Sequence, residues 1–327
     1  MPETMKAALI RDENGFNFTD VPFPVMKDGD ILIKIHAAGV NRADIMQRHG
    51  TYPPPPGWPE WPGLEVAGEV YAVSEKAKKE SDFKVGDRVA ALVGGGGYAE
   101  YITTHYSTLI RLPDELSYVD GACLPEVYST AYLNLFGEGK LQKGETVLVF
   151  AGASGIGIAV TQIAKAFGAK VIATVRSDEK AEAIRDVGAD LIVNTKKTDI
   201  VSVFEENGVD LVIDCVGGEK MGACFSRMNR FGRWIMIAAL GGKDSTVDLA
   251  EVYKKRLRLI GSTLRSRSDE EKHEILTHIR KEILPYIVQG KFKPKLYAVL
   301  PLSDADGAHK IVEANQNIGK VILRVCE

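Results

Sequence analysis

The stretch Gly144-Glu-Thr-Val-Leu-Val-Phe-Ala-Gly-Ala-Ser-Gly-Ile-Gly157, with Ile158-Ala-Val-Thr-Gln-Ile-Ala-Lys-Ala-Phe167 and Lys170-Val-Ile-Ala-Thr-Val175 behind it, decides the fold. Thr146 to Phe150 are apolar and β-branched or aromatic, as a parallel strand covered on both faces requires. Ile158 to Phe167 repeat apolar residues at helical spacing, and Gly168 closes the run. Lys170 to Val175 read as a second strand. The order strand, glycine turn, helix, strand is the setting in which a glycine fingerprint reads as a dinucleotide site rather than a packing turn. Gly152 suits the tight first turn. Ser154 is small where a pyrophosphate must approach the backbone, and Gly155 beside it keeps the turn open. Gly157 lets the helix pack close to the strand. Ala153 and Ile156 complete the turn, and the helix N-terminus offers N–H groups and partial positive charge to an anion.

The end of the second strand selects between cofactors. An NAD site usually carries Asp or Glu about 20 residues beyond the turn, bound to the ribose 2′-OH. Here the chain reads Thr174-Val-Arg-Ser-Asp-Glu-Lys180. Arg176 comes first, Ser177 follows, and Lys180 lies a helical turn on. A cation and a hydroxyl suit a 2′-phosphate, so the expected cofactor is NADPH. The bland alternative is that Arg176 and Lys180 are solvated surface charges.

At 327 residues the chain is long enough for two domains. It is 45% hydrophobic and 26% charged, with net charge −3, so no basic excess points to nucleic acid. The opening Met1-Pro-Glu-Thr-Met-Lys6 has no apolar signal core, and no apolar run is long enough to span a bilayer. Cys123, Cys215, Cys224 and Cys326 show no paired ligand spacing, which fits a reducing, cytoplasmic setting.

Residues 5–110 read as short strands broken by turns, which suggests a small barrel. Met5–Ile10, Asp30–Ala38, Leu64–Val73 and Arg88–Leu92 carry the strand pattern, and Asn41 to His49 suits a short helix. Tyr52-Pro-Pro-Pro-Pro-Gly-Trp-Pro-Glu-Trp-Pro62 is too rich in proline for either element. Four glycines, Gly94 to Gly97, precede Tyr98. From Tyr118 the period turns helical. After the fingerprint we expect helices at 178–187, 199–206 and 220–229, alternating with strands at 191–193, 209–214, 232–239 and 257–261. That makes about six parallel strands. The basic run Lys254-Lys-Arg-Leu-Arg258 reads as a solvated edge. Residues 269–289 predict one long amphipathic helix. Residues 291–327 return to β material around a helix at 305–315 and should rejoin the barrel.

Read end to end, the chain resembles the medium-chain dehydrogenase/reductase superfamily, through Gly63-Leu-Glu-Val-Ala-Gly-Glu-Val70 followed by Gly86-Asp-Arg-Val89. Within it the chain is most similar to the zinc-independent NADPH:quinone oxidoreductases, in the branch that includes the human tumour-suppressor-inducible quinone reductase. Asn41-Arg-Ala-Asp44, Gln47-Arg48, Tyr52-Pro-Pro-Pro55, Gly232-Arg-Trp234, Leu264-Arg-Ser-Arg267 and Ala314-Asn-Gln-Asn-Ile-Gly-Lys320 carry that likeness. The resemblance implies an α/β protein: a doubly wound parallel Rossmann sheet at 123–267, and a GroES-like β-barrel catalytic domain from 1–122 and 268–327. It also implies a homodimer, with Leu257–Leu264 pairing across a two-fold axis as an edge strand.

Zinc alcohol dehydrogenases carry Cys where this chain has Asn41 and His where it has Leu64, and neither replacement is an equivalent ligand. A structural-zinc lobe is also missing, and the six histidines are scattered without ligand spacing. The expectation is catalysis without a metal, on a substrate that already accepts hydride well, such as a quinone. The resemblance puts Asn41, Asp44 and Tyr52 at the nicotinamide and substrate side, although an aromatic in a proline loop also packs for its own sake. Its cofactor positions are Thr130 at the nicotinamide ribose, Ala153 to Gly157 at the pyrophosphate, and Arg176, Ser177 and Lys180 at the 2′-phosphate. They continue at Cys215 and Val216, Ala239 and Leu240, Leu264, Arg265 and Arg267, and Asn315 and Lys320. Thr195 stands where many relatives have Tyr.

Two other readings compete. Reduction of an activated C=C bond in an enone or enoyl thioester uses the same hydride geometry, but a thioester's nucleotide tail needs a basic groove that 41–61 lacks apart from Arg42 and Arg48. A cofactor-binding structural or RNA-binding protein without turnover is opposed by the near-neutral charge and the intact fingerprint.

Overall fold

The computed structural model describes residues 2–13 and 15–326. The chain divides into two compact units, Thr130–Leu264 and Met1–Ser129 with Arg265–Glu327. The sequence reading set these divisions at 122/123 and 267/268.

In Thr130–Leu264 six parallel strands lie in the spatial order Leu191–Asn194, Lys170–Val175, Thr146–Val149, Leu211–Asp214, Arg233–Met236 and Arg258–Gly261. The sheet grows first to one side of Thr146–Val149 and then to the other. Such a reversal opens a crevice at the carboxyl ends of the strands. All residues of Thr146–Val149 and Leu211–Asp214 are buried, the reason these strands read as unbroken apolar runs. The core around them centres on Trp234, which is fully buried. Its ring stacks on Phe204 at 5.7 Å and meets Phe225 edge-on at 6.1 Å. Its indole N–H donates to Asp214 Oδ2 at 3.0 Å, so the one polar atom of the ring is satisfied inside the core.

Several elements depart from the sequence expectation for physical reasons. The helix after the glycine turn is Gly155–Ala166, and its first turn precedes the apolar run because Ser154 caps it, accepting from Gly157 N at 3.1 Å. The expected helix at 178–187 is a short helix, Asp178–Ala183, followed by a 3₁₀ turn at Arg185–Val187. Lys254 and Lys255 end the helix Leu249–Lys255, where cations suit the helix dipole. Arg256 is left-handed (φ +55°), and Leu259 is 53% exposed on the outermost strand.

In the other unit the eleven-residue strand Asp30–Val40 is the spine. One edge pairs with Glu65–Val73. The other edge is shared between Tyr101–His105 and Lys320–Arg324, so the C-terminal segment rejoins the N-terminal strands. The seven-stranded sheet continues through Arg88–Leu92 to Leu109–Arg111, and through Lys320–Arg324 to Leu296–Pro301. Two register shifts in the pairing of Asp30–Val40 with Glu65–Val73 curve the sheet. A separate hairpin joins Thr4–Asp12 and Gly15–Pro22. The expected long helix at 269–289 is Asp269–His278 and Leu284–Val288, joined by a wider π turn at Ile279–Ile283. Pro285 has no N–H for the preceding turn, which the wider winding accommodates. Among the described residues no helix is long and apolar enough to cross a membrane.

Candidate active site

The unit Thr130–Leu264 gathers its site at the carboxyl ends of its strands. Gly152 N donates to Thr174 O at 2.7 Å, which ties the glycine turn to the neighbouring strand. A Cβ on Gly157 would meet Ala151 O at 2.5 Å and Gly152 Cα at 2.6 Å, so only glycine allows this closeness of helix and turn. Ala153 is buried, while Ser154, Gly155 and Ile156 keep some surface. Arg176, just past its strand, is exposed and has no side-chain partner among the described residues. Ser177 caps the next helix by accepting from Lys180 N at 3.2 Å, which leaves its own hydroxyl proton to give. Thr195 follows the adjacent strand, and its hydroxyl donates to Val175 O at 3.2 Å.

Farther along the sheet, Asp214 organises two loops. Its Oδ1 accepts from Val216 N at 2.6 Å and Gly217 N at 3.1 Å. Burial raises its pKa against the pull of these bonds. The loop Cys215–Val216 is in turn bound to Ala239–Leu240 and the residue beyond: Leu240 N donates to Cys215 O, and Gly241 N to Val216 O. Leu240 is exposed and Leu264 is buried. Thr130 is half-buried, and its carbonyl accepts from Asn134 Nδ2.

The remaining sequence-predicted residues lie in the other unit. The helix Arg42–Arg48 starts after Asn41, whose N–H donates to Asp44 Oδ2 at 2.8 Å. The acid thus closes the helix start, and the Asn41 carboxamide is left for other work. Its Nδ2 donates to Glu65 Oε1 at 3.0 Å, and its Oδ1 accepts from Lys320 Nζ at 2.8 Å. Lys320 Nζ also donates to Glu65 Oε1 at 2.5 Å and to Val40 O at 3.0 Å. All three ammonium hydrogens therefore have acceptors. Glu65 Oε2 accepts from Glu126 N at 2.9 Å. Glu65 and Lys320 are both buried.

Asp44 is fully buried. Besides Asn41 N it accepts from Gly63 N at 2.9 Å and from Tyr98 OH at 3.2 Å. Burial nevertheless pushes its carboxyl up to about 6. Gly63 sits at φ +108°, and a Cβ there would lie 2.6 Å from Gly97 Cα, so the turn that presents this N–H requires glycine. Tyr98 OH is 3.1 Å from His309 Nε2. The phenol's only proton goes to Asp44, which assigns the hydrogen on His309 to Nε2. Nδ1 of His309 then has no partner among the described residues, and burial pushes the imidazole down to about 3, so it is neutral.

Tyr52 lies in the proline loop with its ring under the Arg265 guanidinium, 5.3 Å from ring centre to Cζ. Arg265 was read from the sequence as a cofactor residue. In the structure its Nε donates to Gly94 O at 2.7 Å, Nη1 to Tyr52 O at 3.0 Å and Nη2 to Gln47 Oε1 at 2.6 Å, all within its own unit. The Gly94–Gly97 run explains itself here. A Cβ on Gly94 would stand 2.5 Å from Trp58 Nε1, and one on Gly96 would stand 2.7 Å from Pro59 Cγ. The proline loop lies directly on this backbone. Arg267 pairs with Glu271 at 3.0 Å. Asn315, left-handed at φ +54°, follows the helix Ala305–Glu313 and accepts from Arg42 Nη2 at 2.7 Å.

Sequence reasoning missed Glu65, Tyr98, Glu126 and His309. Glu65 stood inside a quoted motif, and the Asn41-x-x-Asp44 spacing was a capping signal. Nothing in sequence linked Tyr98 to His309, 211 positions away.

With this geometry in view, the likenesses to known proteins can be placed. Residues 27–114 match the model of the alcohol dehydrogenase GroES-like domain, and 155–279 match that of the zinc-binding dehydrogenase domain. The human quinone oxidoreductase is 32% identical over 313 residues, covering 93% of this chain and 92% of its own. The chain belongs to the medium-chain dehydrogenase/reductase superfamily. Its Rossmann-type parallel sheet and GroES-like domain are those of the superfamily, as is its pyridine-nucleotide-binding fold. A mycobacterial quinone oxidoreductase structure superposes with TM-score 0.83 at 29% identity over 98% of this chain and all of its own. A mycobacterial relative solved with NADPH gives TM-score 0.85 at 29% identity, with the same coverage. An NAD-dependent alcohol dehydrogenase gives TM-score 0.85 at 28% identity over 98% and 100% of the two chains. This superfamily member is accordingly an oxidoreductase.

Lys320 separates a structural role from a ligand role experimentally. In Lys320→Met the buried Glu65 carboxylate loses its cation, which costs about 3–5 kcal/mol. Urea unfolding of the protein without cofactor should show that loss. An unfolding midpoint equal to wild type would mean that Lys320 does not hold the fold.

Proposed function

We propose that this protein is an NADPH-dependent quinone oxidoreductase that works without a metal. The single observation that carries the reading is the near full-length likeness to quinone oxidoreductases, with Asn41, Asp44 and Tyr52 present in one unit of the chain. The donor set around Asn41 supports the metal-free part. Its amide oxygen already accepts from the Lys320 ammonium at 2.8 Å, and a fixed positive charge there opposes a dication. No group of three His, Cys, Asp or Glu able to hold a metal stands among the described residues.

When bound, the reduced nicotinamide supplies the hydride. The chain's own residues orient and polarise. Asn41 Nδ2 gives one hydrogen to Glu65, while its other contact, to Gly39 O at 3.4 Å, is long. That second N–H is the one free to bind a quinone oxygen, where it would stabilise charge as it builds up. Tyr52 offers a ring to the substrate. Gly152 to Gly157 would hold the pyrophosphate, and Arg176, Ser177 and Lys180 the 2′-phosphate. The protein is read as cytoplasmic. NADPH oxidation measured with ortho- and para-quinones, enones and enoyl thioesters, with and without exhaustive chelation, tests the reading. Turnover with quinones that survives chelation is expected. Preference for an enoyl thioester, or activity that leaves together with stoichiometric zinc, would overturn it.

The 2′-phosphate carries up to two negative charges, and the Arg176 fork can meet it with charge-assisted bonds worth about 1.5–3 kcal/mol each. Two such bonds, discounted for exposure, favour NADPH over NADH by roughly 10- to 100-fold in kcat/KM. Arg176→Ala should raise KM for NADPH, leave KM for NADH nearly unchanged and change kcat little. Equal use of both cofactors by wild type would remove the strand-end argument.

We also infer a homodimer through Leu257–Leu264. The outer strand Arg258–Gly261 has an edge that no strand pairs among the described residues, and Leu259 is 53% exposed on it. Sedimentation at micromolar concentration should give twice the chain mass, and a monomer there contradicts the inference.

A further inference from the structure

The unit that holds Asn41 contains a partly buried acid that neither the sequence reading nor the orientation of Asn41 uses. Glu126 lies in the first turn of the helix Pro125–Tyr132. Its backbone N–H and the Asn41 carboxamide bind the two oxygens of the same Glu65 carboxylate, at 2.9 Å and 3.0 Å. Glu126 is thereby fixed one carboxylate away from Asn41. The residue keeps some surface, yet its carboxyl has no hydrogen-bond partner among the described residues. Asp44, equally surrounded by protein, has three donors. A carboxyl without a partner, set among Glu65, Asp44, Lys320 and Arg265, does nothing for the fold, because an unmade hydrogen bond only costs stability.

We propose that Glu126 is the catalytic acid of this site and delivers its carboxyl proton to the oxygen of the reduced substrate. The proposal rests on the quinone reductase reading above. The quinone takes up two electrons and one proton as hydride, and NADPH becomes NADP⁺. The O–H bond of Glu126 breaks, its electron pair stays on the carboxylate, and its proton completes the second O–H bond of the hydroquinone. Water then returns a proton to the carboxylate.

The surroundings set Glu126 for this role. Burial is the largest influence on its carboxyl, followed by the negative charge of Glu65. Asp44 adds to these, Lys320 and Arg265 act against them, and the result is a carboxyl pushed up to about 8. Tyr52 and Lys272 face it as well, each feeling its charge. At neutral pH it is protonated and close to the operating pH, as a proton donor needs. Above pH 8 it holds no proton to give, so rate is lost as pH rises.

The test is the pH profile of kcat with a quinone that wild type reduces. Wild-type kcat should fall tenfold per pH unit above about pH 8. In Glu126→Gln kcat should be lower by about 100-fold. It should be flat across that range, with KM for NADPH within twofold of wild type. Glu126→Asp should recover part of the rate and the falling limb. A Gln variant that keeps the limb, or a kcat within threefold of wild type, overturns the proposal. Should the Gln variant not fold, the wild-type protein decides. Its infrared spectrum should hold a protonated-carboxyl band at pH 7 that shifts with ¹³C-glutamate and is lost with a midpoint near 8, and absence of that band overturns the proposal. Failure of wild type to oxidise NADPH with any quinone or enone overturns the functional reading and this proposal together. Turnover with an unaltered limb in Glu126→Gln overturns this proposal alone.

Discussion

The Glu65–Lys320 ion pair is the constraint on which the rest of its unit depends. Taking both charges out of water is expensive, and attraction between them offsets that only when every remaining donor is satisfied. Lys320 meets the condition with Glu65, Asn41 and the Val40 carbonyl. Those acceptors belong to the strand Glu65–Val73, to the start of the helix Arg42–Arg48 and to the end of the strand Asp30–Val40. One ammonium therefore fixes where three elements meet. The tail that carries Lys320 is itself held. Arg48 and His49 both bind Glu313, and Arg42 binds the carbonyl of Val312. Arg42 and Arg48 thus place cations at the C-terminal end of the helix Ala305–Glu313, where its dipole favours them.

Two carboxyls in this unit show how burial and hydrogen bonding trade against each other. Asp44 and Glu126 are both surrounded by protein, and burial dominates both. Asp44 accepts from two backbone N–H groups and a phenol, and rises only to about 6. The Glu126 carboxyl accepts from no donor among the described residues and has Glu65 for a neighbour, and rises to about 8. The donors stabilise the ionised form of Asp44, so it holds Asn41 and Gly63 as a carboxylate at neutral pH. The lack of donors keeps Glu126 an acid. The pair divide holding and proton storage between them through environment alone.

The parallel sheet was legible because its strands are covered on both faces and carry their pattern locally. Lys170–Val175 and Arg88–Leu92 were bounded to the residue. The start of the helix Gly155–Ala166 was hidden because its first turn is glycine, isoleucine, glycine, and an apolar period cannot register there. The break in 269–289 was signalled by Pro285 and overlooked because the apolar period runs through it. The charged core was not legible. Lys320 and Glu65 are 255 positions apart, and Arg265 and Gln47 are 218 apart. Lysine, arginine and glutamate ordinarily read as surface, and only the fold shows which of them are enclosed. The four glycines were legible as a feature but not in purpose, since what needs their missing side chains is a tryptophan and a proline more than thirty positions earlier.

The two units set their chemistry by opposite means, and this bears on what can change. In Thr130–Leu264 the glycine turn, the Asp214-held loops and the strand ends are fixed by backbone bonds, whereas Arg176 stands exposed and contributes little to folding. A charge in water can be exchanged at small cost to stability, so the identity of the residue at 176 is separable from the fold. In the unit of Asn41 the groups beside the amide are the same groups that hold the strands together. Altering Glu65 or Lys320 leaves a buried charge without its partner. The identity of the residue at 41 is tied to that pair, because its side chain must both donate to a carboxylate and accept from an ammonium. A carboxamide does both at once, which neither a carboxylate nor an ammonium can do. The requirement for a side chain that both donates and accepts at this position therefore follows from the ion pair behind it, before any substrate is considered.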